Sequence, residues 1–187
     1  MDTSLWKEIA ISASAVGLAG WAAWFDWRSR KIPNRLTIPA LLLGLFLRGA
    51  LGRWPAAKAG LEGVGISLGV LLPFVWMRGL GAGDWKLMGA LGAFLGPQRT
   101  IVVLLGTVLI AGLMAVVEII RQKKVRETLS NLWVIFVAYS TFQVGNAREI
   151  TLDNPGLLRI PFAVAAALAT GLLFARLYLF RLFAKSG

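Results

Sequence analysis

The sequence contains no cysteine and no histidine. Together those absences remove disulfides, thiolate and imidazole metal sites, cysteine nucleophiles and imidazole bases. Hydrolytic chemistry is left to carboxylates, lysine or tyrosine, and only two tyrosines occur. Acids are scarce too: nine Asp and Glu stand against 20 Lys and Arg in 187 residues, a net charge of +11. Charged residues make up 16% of the chain, where a soluble domain carries about 25%. The remainder is largely apolar, 57% hydrophobic, and gathered in runs that approach or exceed the ~18 residues needed to cross a bilayer.

Six runs are read as helical spans, at about Leu5–Phe25, Leu36–Leu51, Ala59–Met77, Trp85–Gly96, Thr100–Ile120 and Ile160–Phe180. The fourth is too short for an untilted span. A further apolar segment, Leu129–Val144, is interrupted by Ser130, Asn131, Ser140, Thr141 and Gln143 and is read as an interfacial helix. The expected fold is therefore an all-α polytopic membrane bundle of about six helices, one domain over residues 1–187. The first run is not a cleavable signal peptide, because Met1–Glu8 is not basic. Trp24, Trp27, Trp76 and Trp85 fall where an interfacial aromatic belt is expected, and Arg48 sits where its side chain can snorkel outward. Gly89, Gly92, Ala93 and Gly96 have the small-residue spacing of close helix packing.

The positive charge is clustered between the spans, as in cytoplasmic loops that face anionic lipid. A continuous basic face suited to nucleic acid is absent. The densest clusters, Arg28 to Arg35 and Arg121 to Arg126, belong on the cytoplasmic side, with the N-terminus outside. Arg176, Arg181 and Lys185 favour the cytoplasm as well, which conflicts with a non-crossing Leu129–Val144.

Acids at membrane depth are costly and are functional candidates for that reason. Asp2 and Glu8 lie near the N-terminus, and Glu127, Glu149 and Asp153 lie in the polar region after the fifth span. Asp26, Glu62, Asp84 and Glu118 remain beside apolar runs. Asp26 closes the first span and Asp84 opens the fourth. Two crossings separate them, so both reach the same face. Glu62 falls toward the opposite face, and Glu118 has Arg121 at i,i+3 for an ion pair. Two close carboxylates cannot both ionise easily, so they share a proton near neutral pH. One then acts as base on a water and the other as acid on the carbonyl or leaving amine. The glycines at Gly81 and Gly83, before Asp84, permit dihedrals closed to other residues and close approach of a substrate strand. Pro33 marks a helix start, and Asn34 beside it can bond local backbone.

These residues fall into two motifs. Asp26-Trp-Arg-Ser-Arg-Lys-Ile32-Pro33-Asn34-Arg-Leu36-Thr37 resembles the aspartate and following I-P-N-x-L-T of the type IV prepilin peptidases, a class of GxGD aspartyl peptidases. Gly81-Ala-Gly83-Asp84-Trp-Lys86-Leu87 is similar to that family's G-x-G-D-x-K-L. A weaker likeness is Arg159-Ile160-Pro161-Phe162, resembling a P-[YF]-G segment, with Ala163 where glycine is usual. The resemblance extends from about Leu5 to Phe180.

The resemblance implies that Asp26 and Asp84 are the catalytic pair, supported by Gly81, Gly83, Lys86, Ile32, Pro33 and Asn34. Lys86 would tune the pair or bind substrate carboxylate. It further implies an aspartic endopeptidase of the cytoplasmic membrane that removes the short basic leader of pilin-like precursors at the cytoplasmic face. No metal or other cofactor is expected, and the partners are a prepilin or pseudopilin and membrane lipid. Larger members also methylate the new N-terminus and bind zinc through cysteine pairs in an extra N-terminal region. With no cysteine, this chain looks like the short, peptidase-only form similar to those of Flp/Tad pili. The alternatives are another GxGD intramembrane protease, which normally has a Tyr-Asp pair where Phe25-Asp26 stands here, a small proton- or ion-coupled transporter, or an inert assembly subunit.

Overall fold

In the computed structural model of the chain, the described residues are 3–77, 79–123, 125, 126, 128, 130, 133 and 161–186. All described secondary structure is helical. The helices are α1 (Thr3–Ser29), α2 (Asn34–Trp76), α3 (Ala82–Leu95), α4 (Pro97–Arg121) and α5 (Phe162–Ser186). Helix α1 from Trp6, α2 and α4 are each long and apolar enough to cross a membrane. This is a membrane helical bundle. Helices suit lipid because every backbone polar group is satisfied within the segment. Broad apolar surfaces, such as Leu105, Leu109 and Leu113 on α4, face outward, as a lipid solvent permits.

The interruption in α2 explains its 43 residues. Arg53 takes a positive-φ conformation (φ 59°, ψ −165°) just before Trp54-Pro55, and the helix folds back there. A Cβ placed on Gly60 would lie 3.1 Å from both Leu45 Cδ2 and Arg48 Cδ. In a straight helix, residues 45 and 60 would be about 22 Å apart at 1.5 Å per residue. The second and third expected spans are thus two arms of one hairpin, joined at Arg53 without a longer loop. Each arm offers a narrow stripe of mostly small buried residues at helical spacing: Thr37, Ala40 and Gly44 on the first, Gly60, Gly63 and Ser67 on the second.

Helix α3 lies against both stripes. It runs parallel to the first arm and antiparallel to the second. Gly44 faces Ala93 and Phe94, Gly63 meets Gly92, and Gly89 meets Leu68. Leu87 to Leu95 are all buried, so α3 is the interior helix of the bundle. The small-residue spacing expected for this stretch is therefore close packing. The Trp85 indole is turned inward, with Nε1 donating to Leu68 O at 2.8 Å. It is not a belt residue, whereas Trp24, Trp27 and Trp76 are exposed. An indole N–H inside a bundle needs an acceptor, and the nearby α2 backbone supplies one.

The two ends of the bundle carry different polar groups. At one, Arg99 pairs with Glu8 at 2.6 Å, and the Tyr178 hydroxyl donates to Glu8 O at 3.0 Å. This sets the starts of α1 and α4 beside the later part of α5. The other end holds Asp26, Asp84 and the start of α5. Helix α4 runs antiparallel to α5, with Gly106 against Ala169. The chain therefore leaves α4 and enters α5 at the same end. The Leu129–Val144 segment lies outside the described residues except Ser130 and Trp133; Glu149, Asp153 and Arg159-Ile160 also lie outside them. Glu118 has the neighbours expected of a surface acid, Arg121 at 3.8 Å and Gln122 Nε2 at 2.8 Å.

Candidate active site

Asp26 is placed by the packing of α1. Ile11, Ala15, Leu18, Ala19 and Ala22 are buried at three- and four-residue spacing, and Asp26 continues that stripe. It lies one turn from the helix end, so α1 runs past the aspartate instead of stopping before it. The Arg30 N–H closes that turn on Asp26 O at 2.9 Å, with Arg30 at φ 53°. The carboxylate is 7% exposed. Its Oδ2 accepts the backbone N–H of Ala163 at 3.0 Å. Ala163 is in the first turn of α5, where N–H groups lack partners within the helix and the dipole favours negative charge. Asp26 thus acts as a cap for another helix, contributed across the bundle.

Asp84 is placed by the short path from α2 to α3. Gly79 and Leu80 both donate their N–H groups to Phe74 O, at 2.8 and 3.2 Å, which turns the chain back. Gly81 is the N-cap of α3, and Asp84 falls in the first turn. Neither glycine uses the unusual dihedrals that its residue type permits. Gly81 has ordinary extended dihedrals (φ −68°, ψ 141°), and Gly83 is helical. Among the described residues, the glycine with positive φ is Gly96. What Gly81 and Gly83 provide is room. A Cβ on Gly83 would lie 3.3 Å from Ile32 Cβ, and one on Gly81 would lie 3.0 Å from Asp84 Oδ2. The missing side chain at Gly83 lets Ile32 sit on the start of α3, and the one at Gly81 leaves room for the Asp84 carboxyl.

Asp84 lies outside the three long apolar helices. Its carboxyl is pushed up from 3.8 to about 7, first by burial and then by the charge of Asp26. Being at a helix N-terminus opposes this shift, but that effect is worth at most ~2 kcal/mol, or about 1.5 pH units. Burial therefore dominates. The two aspartates are close enough for one charge to act on the other. Asp84 keeps its proton toward neutral pH, which is what acid–base work by a carboxyl pair needs.

Of the other residues singled out in the sequence, Pro33 is the N-cap of α2 (φ −71°, ψ 138°). Asn34 Oδ1 accepts from Lys86 Nζ at 3.0 Å, not from local backbone. This bond joins the two motifs directly, one on each helix. Glu62 is exposed on the second arm of α2, toward the end away from the aspartates. Among the described residues, no group of three or more His, Cys, Asp or Glu side chains converges as a metal site would require.

Two participants escaped the sequence reading. One is the Ala163 N–H, a backbone donor with no residue-type signature; Pro161-Phe162 before it was the available hint. The other is Arg48, which does not snorkel. It is 7% exposed and turned inward, with Nε and Nη2 on Phe94 O and Leu95 O at 2.8 Å each. Carbonyls without partners at the end of α3 attract a guanidinium more strongly than a distant interface does.

Comparison with known proteins points to a family. The model of a family described as the type IV leader peptidase family matches residues 13–116, which include both aspartate motifs. A prepilin leader peptidase/N-methyltransferase of Escherichia coli (strain K12) is 36% identical over 87 residues, 43% of this chain and 38% of that protein. One of Xanthomonas campestris pv. campestris is 27% identical over 128 residues, 64% of this chain and 42% of that protein. The matches thus span well under half the length of either relative. No solved structure is significantly similar.

Proposed function

The chain belongs to the type IV leader peptidase family, and from that membership we propose that it is a membrane aspartic endopeptidase cleaving the leader from type IV pilin-like precursors, with Asp26 and Asp84 as its catalytic pair. The observation that carries the reading is the electrostatic meeting of the two motif aspartates at one end of the bundle, where burial and Asp26 hold the Asp84 carboxyl near 7. A carboxyl pair sharing one proton can activate a water with its ionised member. The protonated member then donates to the carbonyl oxygen and, later, the proton goes to the leaving amine. The pair titrates as a unit, so neither aspartate is given a fixed role. Hydrogen bonding of Asp26 to Ala163 N–H fixes one carboxylate, and the Lys86–Asn34 bond ties the loop after Asp26 to the helix of Asp84.

The active end is proposed to face the cytoplasm in a bacterial-type cytoplasmic membrane. Arg28, Arg30, Lys31 and Arg35 next to Asp26 support this, because basic clusters beside spans are retained on that side. Residues 1–187 are read as one peptidase domain of the kind that serves Flp/Tad pili. The substrate is a prepilin or pseudopilin with a short basic leader. Methylation is left out of the proposal, since the chain has no cysteine for the zinc-binding pairs. Co-expression with a candidate prepilin tests the reading. Leader removal is expected with the natural chain and with Glu62→Ala, and is expected to vanish with Asp26→Ala or Asp84→Ala. Processing that persists in either aspartate variant sinks the mechanism.

A further inference from the structure

Helix α3 carries Asp84 at one end and must be held along its axis for that carboxyl to meet Asp26. Its seam with α2 is built largely from glycine: Gly44, Gly60 and Gly63 on α2, Gly89 and Gly92 on α3. Such a seam permits close approach, with Phe94 seated at Gly44 and Leu68 at Gly89. Directional bonds add to that packing in fixing the register. Near Asp84 these are Trp85 to Leu68 O and Lys86 to Asn34. At the far end the last carbonyls of α3 need partners that lipid cannot supply. Gly92 O receives Gly96 N–H at 3.0 Å, while Phe94 O and Leu95 O receive Arg48 Nε and Nη2 at 2.8 Å each. Arg48 Nη1 also reaches Ala56 O on the other arm of α2 at 3.5 Å. Gly96 fits beneath the guanidinium at φ 74°, where a Cβ would come within 3.0 Å of Nη2. Glu8 and Arg99 are within electrostatic reach.

We infer that Arg48 is a positioning residue for Asp84: its guanidinium pins the C-terminus of α3 to both arms of the α2 hairpin and so sets the axial register of the aspartate at the other end. The 14 residues of α3 form a rod of about 21 Å. A rigid helix transmits a shift at one end to the other with little loss. The charge also complements the helix dipole, positive at the C-terminus and Asp84 at the N-terminus. An apolar side chain would leave two buried carbonyls unpaired, a glutamine amide is shorter and uncharged, and lysine would restore charge without the fork that bonds two carbonyls at once. The inference rests on the reading of Asp84 as a member of the catalytic pair.

The test has two readouts. The first is kinetic. Arg48→Gln is expected to lower kcat on a prepilin by on the order of 10- to 100-fold, the cost of an ångström-scale misplacement. KM should change little, and Arg48→Lys should recover part of the loss. The alkaline limb of the rate profile should move to lower pH as Asp84 loses its buried place beside Asp26. The second readout needs no substrate. The chain has no cysteine, so pairs can be introduced cleanly. Ile32→Cys with Gly83→Cys reports the register of α3, and Gly106→Cys with Ala169→Cys reports the unrelated α4–α5 contact. In the Arg48→Gln background, disulfide yield of the 32–83 pair is expected to fall while the 106–169 pair is unchanged. Unchanged yield at 32–83, or an equal fall in both pairs, overturns the inference. A protein that cleaves no prepilin but shows the selective fall refutes the functional reading and leaves the positioning of α3 standing.

Discussion

Replacing either aspartate should abolish cleavage, yet the two replacements should move stability in opposite directions. Asp26 accepts a buried backbone N–H at the start of α5. Asp26→Ala leaves that donor unpaired and removes a negative charge from a helix N-terminus. The cost is about 1–3 kcal/mol for the unsatisfied group, with a smaller dipole contribution added. At Asp84, burial and the charge of Asp26 raise the carboxyl to about 7 from 3.8. A raised acid stabilises the fold fully below the unfolded value, and that contribution is lost as pH rises from 3.8 through about 7. Asp84→Asn keeps the shape and never ionises. Its advantage in melting temperature over the natural chain should therefore be small near pH 5 and larger near pH 8, approximate values inside and above this window. Asp26→Ala should melt lower at both. Thermal unfolding of purified protein in one detergent at the two pH values measures this. Equal destabilisation by both variants, with no pH dependence in the difference between Asp84→Asn and the natural chain, refutes the reasoning.

Other expectations follow from single contacts. A methyl group on Gly63 would strike the Gly92 backbone, so Gly63→Ala should cost about 1–3 kcal/mol of stability by overpacking, measured by the same thermal assay. Lys86→Met and Asn34→Ala each break the bond between the motifs. Their effects on cleavage should be non-additive, with a coupling of about 0.5–1.5 kcal/mol in a double-mutant cycle; full additivity counts against the bond. Cleavage should decline as pH rises above about 7, where the carboxyl pair loses the proton it shares.

Much of the fold was legible because lipid leaves few options. Apolar runs become helices, and the position of Asp26 beside the first run marked it as a candidate, although its place on the buried stripe of Ile11, Ala15, Leu18 and Ala22 emerged only with the structure. The parity of crossings put Asp26 and Asp84 at the same end, and the motifs alone marked Asn34 and Lys86. What stayed hidden depended on partners distant in sequence. Arg48 looked like a snorkelling residue because nothing local shows that the end of α3 lies beside it. Gly81 and Gly83 suggested unusual dihedrals, but the demand at Gly83 is space for Ile32. Trp85 fitted an interfacial belt until the Leu68 carbonyl placed its indole inside. Charge at Arg176, Arg181 and Lys185 pointed the last helix the other way. The Ala163–Asp26 bond instead anchors its start at the aspartate end.

The central claim, that Asp26 and Asp84 together cut a pilin leader, is tested most directly with purified protein in liposomes and a full-length prepilin, products read by mass spectrometry. The natural chain should release the leader at a single bond before the apolar helix of the pilin. Asp26→Asn, which can still accept the Ala163 N–H, and Asp84→Asn should each release none while remaining folded by thermal assay. Leader release by either folded variant would contradict the claim.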